Sequence, residues 1–377
     1  MRSLLLSGLL SLSLLLSGMR AKSQSEYTIS GRVTNEKQKP ISGAIVFIDG
    51  SQIATATDNI GRFEVNAPGP GSYHLLVKMM GYAVVSKDVM LTGKSINLDI
   101  SLTIKPIILH EVNIGSDKNW AKNYAIFKKE FLGTTVNARA CEILNPEIIN
   151  FSTSKRMLYA DADDFLMIEN KKLGYRIKYL LKTFEHSALA RTSYSGDVIF
   201  EELAGTEYQK QEWAKNRLET YNGSMMHFLR AVFNNVTLNE GFVTNQMYQS
   251  NGKHYYNPNP IKFDTLVTAI NTSFVSFKFT GLRIVYDPVK ATALMASDHT
   301  AAANSHIIME DISAPEKTAS ESELILSLKG GAVVDAAGRV FSGYLRSFLI
   351  RGAWTYKRVG DQLPFEYQPP VITFTKP

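Results

Sequence analysis

Cysteine is nearly absent. Cys141 is the one thiol in 377 residues, which excludes an intramolecular disulfide and any metal site built on several thiolates. An exported chain without cross-links relies on core packing, and a lone cysteine reads as a small buried hydrophobe. To act as a nucleophile it needs a histidine and an orienting group delivered by the fold. Charge of one sign is missing as well. Lys and Arg number 41 against 35 Asp and Glu, a formal +6. No block of like charges occurs, so neither nucleic acid nor an anionic membrane surface has an electrostatic footprint.

Long apolar runs are limited to residues 3–18, S-L-L-L-S-G-L-L-S-L-S-L-L-L-S-G, which follow Met1 and Arg2. A positive start, a Leu/Ser run and the small-x-small Ala21-Lys22-Ser23 predict a secretory signal peptide over residues 1–23, cleaved between Ser23 and Gln24. The run is short of the ~20 apolar residues of a spanning helix, and no cysteine follows it to carry a lipid. Removing residues 1–23 takes away Arg2, Arg20 and Lys22 and leaves the mature chain at +3. It carries no expected transmembrane helix.

Catalytic motifs are missing too. A zinc carboxypeptidase needs a histidine and a glutamate close together, as H-x-x-E, with a distant second histidine. His74, His110, His186, His227, His254, His299 and His306 all lack a Glu three residues on. There is no H-E-x-x-H, G-x-S-x-G, P-loop or G-x-G-x-x-G. Asp161, Asp163 and Asp164 place carboxylates where a hard cation could sit. D-A-D-D nevertheless lacks the glycine and distal Glu of a calcium loop, and it reads as a solvated turn. His227 and Arg230, three apart, could present one helix face to an anion, and more simply they belong to a packed helix. No catalytic, cofactor-binding or metal-binding residue is assigned.

What is present is strand and turn. Between Tyr27 and Val112, short β-branched and aromatic runs alternate with Asn, Asp, Gly and Pro: Tyr27–Thr34, Ala44–Ile48, Ile53–Thr57, Arg62–Val65, Tyr73–Met79, Val84–Leu91 and Ile96–Leu102. That makes about seven strands, the count of a small β-sandwich. G-R-V-T at 31–34, K-P-I-S-G-A-I-V at 39–46, T-D-N-I-G-R-F at 57–63 and M-G-Y at 80–82 carry a resemblance to the carboxypeptidase regulatory-like domain. The resemblance implies a transthyretin-like β-sandwich and a non-catalytic accessory module, common in exported proteins of Bacteroidetes-type bacteria. It does not imply peptidase activity.

Pro106 and Gly115-Ser116-Asp117 mark a boundary. Beyond it, Trp120, Tyr124, Phe127 and Phe131 recur at helical spacing, a stripe that predicts a buried face and closes at Gly133. Strands are expected at Ile148–Ser152, Arg156–Tyr159, Phe165–Glu169, Tyr175–Phe184 and Thr192–Leu203, then helices at Glu207–Tyr221 and Ser224–Asn234. Further strands are expected at Phe242–Tyr248, Ser273–Tyr286, Ser305–Met309, Glu323–Leu328, Ala332–Asp335 and Val371–Thr375, with Asn257-Pro258-Asn259-Pro260 and Gly330-Gly331 as turns. F-L-G-T-T at 131–135, A-C-E-I-L-N-P at 140–146, I-E-N-K-K-L-G-Y-R-I-K-Y-L-L at 168–181 and G-S-M-M-H-F-L-R-A at 223–231 resemble an uncharacterised Bacteroidetes region with no assigned chemistry.

The expected fold is mainly β: an N-terminal seven-stranded transthyretin-like β-sandwich over residues 27–112 and a β-rich α+β domain over 117–377. The expected function is that of an exported, non-catalytic envelope protein, periplasmic or associated with the outer membrane, whose partners are other envelope proteins or glycans. Two alternatives stand beside it: a hydrolase of unrecognised type in residues 117–377, and an outer-membrane-associated subunit, whose ~10-residue alternating strands would be hard to see.

Overall fold

The computed structural model describes residues 27–105, 118–187, 192–250, 253–296, 308–310, 320–327, 330–341, 343 and 347–370. The leader and its Ser23–Gln24 cleavage, the Pro106–Asp117 boundary and the expected strand Val371–Thr375 lie outside them.

The first part is a sandwich. Its strands are β1 (Tyr27–Asn35), β2 (Ile45–Ile48), β3 (Ala54–Ala56), β4 (Arg62–Ala67), β5 (Gly71–Lys78), β6 (Val85–Leu91) and β7 (Ser95–Leu102). One sheet has the order β4-β1-β7 and the other β3-β2-β5-β6. The β1–β7 pairing is parallel, with Ile29 facing Ile96 and Val33 facing Ile100. Inward residues alternate as the pleat requires: in β4, Phe63, Val65 and Ala67 are buried while Arg62, Glu64 and Asn66 are exposed. Ile29, Val33, Phe63 and Val65 of one sheet meet Val46, Leu75 and Val77 of the other in one core.

The second part opens with α1 (Lys118–Leu132) and the single turn α2 (Val136–Arg139). Phe127 and Phe131 are fully buried on α1. They stack at 4.7 Å between centroids and meet Phe184 and Tyr179 edge-on, so the aromatic stripe is a packing face. The sheet beneath consists of β8 (Cys141–Ile143), β9 (Ile149–Ser154), β10 (Met157–Ala162), β11 (Phe165–Asn170), β12 (Tyr175–Ser187) and β13 (Ser193–Glu202). Long β12 pairs β13 along one edge, and on the other edge first β11 and then β10.

Two helices follow, α3 (Glu207–Tyr221) and α4 (Met225–Phe233). Thr206 and Gln209 form a reciprocal capping box on α3, and Ser224 caps α4. α4 carries Phe228, Leu229 and Val232 into a separate core. The strands of that region are β14 (Phe242–Ser250), β15 (Lys253–Pro260), β16 (Val267–Ala269), β17 (Phe274–Phe277), β18 (Gly281–Tyr286), β19 (Ile308–Glu310), β20 (Glu321–Leu326), β21 (Ala332–Asp335) and β22 (Phe348–Gly352), with α5 (Pro288–Ala296) between β18 and β19. They form one sheet of order β19-β15-β14-β18-β20-β22 and a small one of order β16-β17-β21. The chain then returns, and Val359 and Leu363 complete the core beneath α1.

Three expectations change in detail. Ser273–Tyr286 is not one strand: β17 pairs β16 and β21, while β18 pairs β14 and β20 in the other sheet. Asn257-Pro258-Asn259-Pro260 is strand, not turn. Proline has no N–H to give the ladder, and the Asn245 Nδ2 supplies donors instead, to the carbonyls of Asn257 (2.9 Å) and Pro258 (3.0 Å). α5 was not anticipated, although Asp287-Pro288 is a start signal: the Asp287 carboxylate accepts from the Lys290 amide at 2.9 Å. No helix among the described residues is long and apolar enough to cross a membrane.

Candidate functional site

The two faces of the sandwich differ. On β2, Val46 and Ile48 point into the sandwich core, so Phe47 points out; on β5, Leu75 and Val77 point in and Leu76 out. Phe47 and Leu76 are nonetheless fully buried. They pack on Phe165, Leu180 and Ile199 of β11, β12 and β13, with the Phe47 and Phe165 rings edge-on at 5.7 Å. Strands apolar on both faces are strands covered on both sides, and the unbroken runs I-V-F-I and L-L-V carry that signal in the sequence.

Ion pairs flank this apolar seam. Lys78 reaches Asp164 at 3.1 Å, and Lys105 reaches Asp163 at 3.1 Å. The acidic turn that hinted at a cation thus faces two lysines of the sandwich, while Asp161 accepts from Asn150 at 3.2 Å. Lys105 and both aspartates are exposed while Lys78 is largely covered, and each pair contributes little on its own.

The turn after β2 extends the seam by main-chain bonds. Gly50 donates to Val198 O at 2.9 Å, Phe200 donates to Ser51 O at 2.8 Å, and Ser51 bridges Ile199 in parallel. From the other side Phe365 donates to Gly50 O at 2.8 Å, and Gln52 donates to the Glu366 carboxylate at 3.2 Å. Asp49 Oδ1 accepts the Val198 amide at 2.7 Å. Burial and the neighbouring Asp197 carboxylate push the Asp49 carboxyl up to about 7.

A third anchor comes from the small sheet. Asp335, fully buried, accepts from the Ser72 amide at 2.8 Å and from Arg339 Nε at 2.8 Å. The Arg339 guanidinium lies over the Tyr73 ring at 4.2 Å. A buried carboxylate needs such full pairing. Nothing in the spacing of Asp335 and Arg339 revealed it, because the partner atoms lie on β5, far back in the chain.

The opposite sheet is open. Its outward face is a ladder of polar side chains: Ser30 opposite Glu64 and Asn97, and Arg32 opposite Arg62 and Asp99. With Thr55, Ala56 and Asp58 at the edge, these residues line a cleft of about 580 Å³. Asp58 is committed to the turn, its Oδ1 accepting the amides of Ile60 (3.0 Å) and Arg62 (2.7 Å). Arg32 Nε donates to Ile60 O at 2.9 Å. Arg32 and Arg62 face each other across β1 and β4, a like-charge pair that adds nothing to sheet stability.

The family comparison bears on this part of the chain, since residues 29–114 match the family model of the CarboxypepD_reg-like domain. Residues 29–114 are a carboxypeptidase regulatory-like domain. No curated protein matches the sequence. Among solved structures, a cohesin–X-dockerin complex from Acetivibrio cellulolyticus is 21% identical with a TM-score of 0.17, over 20% of this chain and 56% of that one. The 3-chlorocatechol 1,2-dioxygenase of Rhodococcus opacus is 11% identical (TM-score 0.18), over 22% of this chain and 62% of the enzyme. A streptococcal ancillary pilin is 10% identical (TM-score 0.21), over 49% and 61%. At these scores the likeness carries no inference about this chain, which spans less than two thirds of each of the three.

The regulatory-like domain is therefore held by its β3-β2-β5-β6 sheet and exposed on its β4-β1-β7 sheet. Of the residues singled out in the rest of the chain, Asp163 and Asp164 flank the held side, and Cys141, His227 and Arg230 join neither face. Cys141 is buried, and desolvation pushes its thiol up to about 12, far from a thiolate at neutral pH. His227 is buried on α4: its Nδ1 accepts the Gly223 amide at 3.2 Å, so its Nε2–H donates to Glu240 at 3.1 Å. Arg230 donates to the carbonyls of Ala337 (3.0 Å), Tyr367 (2.8 Å) and Phe365 (3.0 Å), which ties it to its own chain rather than to an anion. Among the described residues no group of three or more His, Cys, Asp or Glu is placed to hold a metal ion.

Proposed function

We propose that the mature chain, after export and cleavage between Ser23 and Gln24, is a non-catalytic accessory protein of the cell envelope, periplasmic or associated with the outer membrane. In this reading residues 27–112 form the recognition module, residues 117–377 form the body that holds it, and the partner is a neutral glycan or glycan-bearing envelope component. The observation that carries the reading is the asymmetry of the regulatory-like domain, one sheet committed to the rest of the chain and the other presenting a polar cleft. The cleft has the size of a small-molecule site. Arg32 and Arg62 against Asp58, Glu64 and Asp99 give it donors and acceptors without a dominant charge, which suits a hydroxyl-rich ligand better than a polyanion.

Binding of the purified mature chain to insoluble peptidoglycan and to neutral polysaccharides tests the reading. Retention is expected, falling roughly tenfold or more in an Arg32→Ala/Asp99→Ala variant, as loss of one or two charged hydrogen bonds implies. Equal retention of the variant would remove the cleft from the reading. Release of soluble sugar or peptide by the wild-type chain would replace the reading with the hydrolase alternative. Recovery of the mature chain with Gln24 at its N-terminus in an envelope fraction is expected, and recovery of the uncleaved chain in the cytosol would sink the export.

A further inference from the structure

At the seam, five titratable groups from five elements surround one main-chain anchor. Asp49 stands at the head of the turn after β2; His74 is on β5, Asp88 on β6, Lys182 on β12 and Asp197 on β13. Lys182 Nζ lies 2.7 Å from Asp197 Oδ2. His74 Nδ1 lies 2.6 Å from Asp88, which leaves its Nε2 3.7 Å from Asp197 Oδ1. Lys182 and the His74 ring are thus engaged by the other two carboxylates, and among the described residues Asp49 has no ion-pair partner. Its oxygen accepts the amide of Val198, the residue directly after Asp197. Tyr179 of β12 also faces the pair, its hydroxyl pushed well up by burial, with Tyr194, Asp49 and Asp197 adding to the shift. On the far side of the turn, burial raises Glu366, which accepts from Gln52.

We propose that the turn Asp49–Gln52 is a proton-operated latch: with a proton on Asp49 it stays bonded to β13, and loss of that proton loosens the seam between the regulatory-like domain and the sheet of β12 and β13. A protonated carboxyl keeps a carbonyl oxygen for the Val198 amide and puts no charge against Asp197. An ionised one brings a second carboxylate into the seam, where Lys182 and His74 already have partners and burial strengthens the repulsion. The sign follows from the shift. Asp49 goes from 3.8 when free to about 7 when docked, so the docked form binds the proton more tightly. The stabilisation is complete below about 4, drains away as pH rises towards about 7, and changes no further above it. The raised Glu366 carboxyl works in the same direction.

Hydrogen exchange on the full mature chain reads the latch directly, in peptides covering residues 47–53 and 196–201, after correction for the intrinsic pH dependence of exchange. Wild type is expected to open up to about tenfold more per pH unit between about pH 5 and 7, then to level off. Asp49→Asn keeps the acceptor and cannot ionise, so the slope is expected to vanish in 196–201 and to fall in 47–53 to the remainder that Glu366 contributes. His74→Gln is expected to retain the slope, which separates the carboxyl from the imidazole. A flat wild type, a slope preserved in Asp49→Asn, or a slope abolished only in His74→Gln overturns the proposal. Should Asp49→Asn fail to fold, Asp197→Asn removes the opposing charge and is expected to move the sloped region to lower pH; an unmoved slope overturns the proposal equally.

Discussion

His227 and Asp49 show how one residue's surroundings set its protonation, and in opposite senses. Burial beneath Tyr221 and Phe242 lowers the basicity of His227 below its usual 6.5 despite the Glu240 partner. The folded chain therefore prefers neutral His227, and the unfolded chain binds the proton more readily. Its contribution to stability is present above about 6.5 and is lost as pH falls below it. In urea titrations at falling pH, wild type is expected to lose stability on the acid side, and His227→Gln to lose less. An identical acid-side fall in the two proteins would remove His227 as a source. The Asp49 contribution runs the other way, which is why the latch calls for local exchange rather than global unfolding.

At the scale of elements, the turn after β2 is the most constrained piece. Gly50 has φ of +71°, where L side chains are rarely found, and a Cβ there would stand 2.6 Å from Phe365 Cε2. The same residue bonds β13 through its amide and the C-terminal segment through its carbonyl. Gly50→Ala is expected to cost about 1–3 kcal/mol, measured as a lower urea midpoint with the slope unchanged. A neutral substitution would mean that the turn relaxes without strain. Asp49-Gly50 was readable as a turn from its residues alone. That the turn serves as a splice between two sheets was not readable, because Val198 and Phe365 are remote in sequence.

At the scale of the molecule, the regulatory-like domain is built in rather than tethered. Phe47 and Leu76 sit outside the sandwich core but inside the seam, and Ser72 and Tyr73 anchor it to Asp335 and Arg339 of the small sheet. Phe47→Ala leaves Val46 and Ile48 in place, so the loss falls on the seam. It is expected to cost about 3–5 kcal/mol and to split one urea transition into two as the sandwich uncouples. One shifted but unsplit transition would show that the parts remain coupled through the Asp335 anchor.

Local pattern alone determined the sandwich. Alternation in β4, the turn residues between strands and the run of short β-branched segments identify it, because pleat and turn geometry act over a few residues. The same holds for α3 and for the buried stripe of α1. The tertiary structure alone decided where the parts meet. Asp163 and Asp164 became partners of Lys105 and Lys78 respectively, Arg230 became a clamp on the carbonyls of Ala337, Phe365 and Tyr367, and Asp49 became the carboxyl that faces Asp197. Those roles depend on desolvation and on charges brought together from distant positions, and neither exists until the chain has folded.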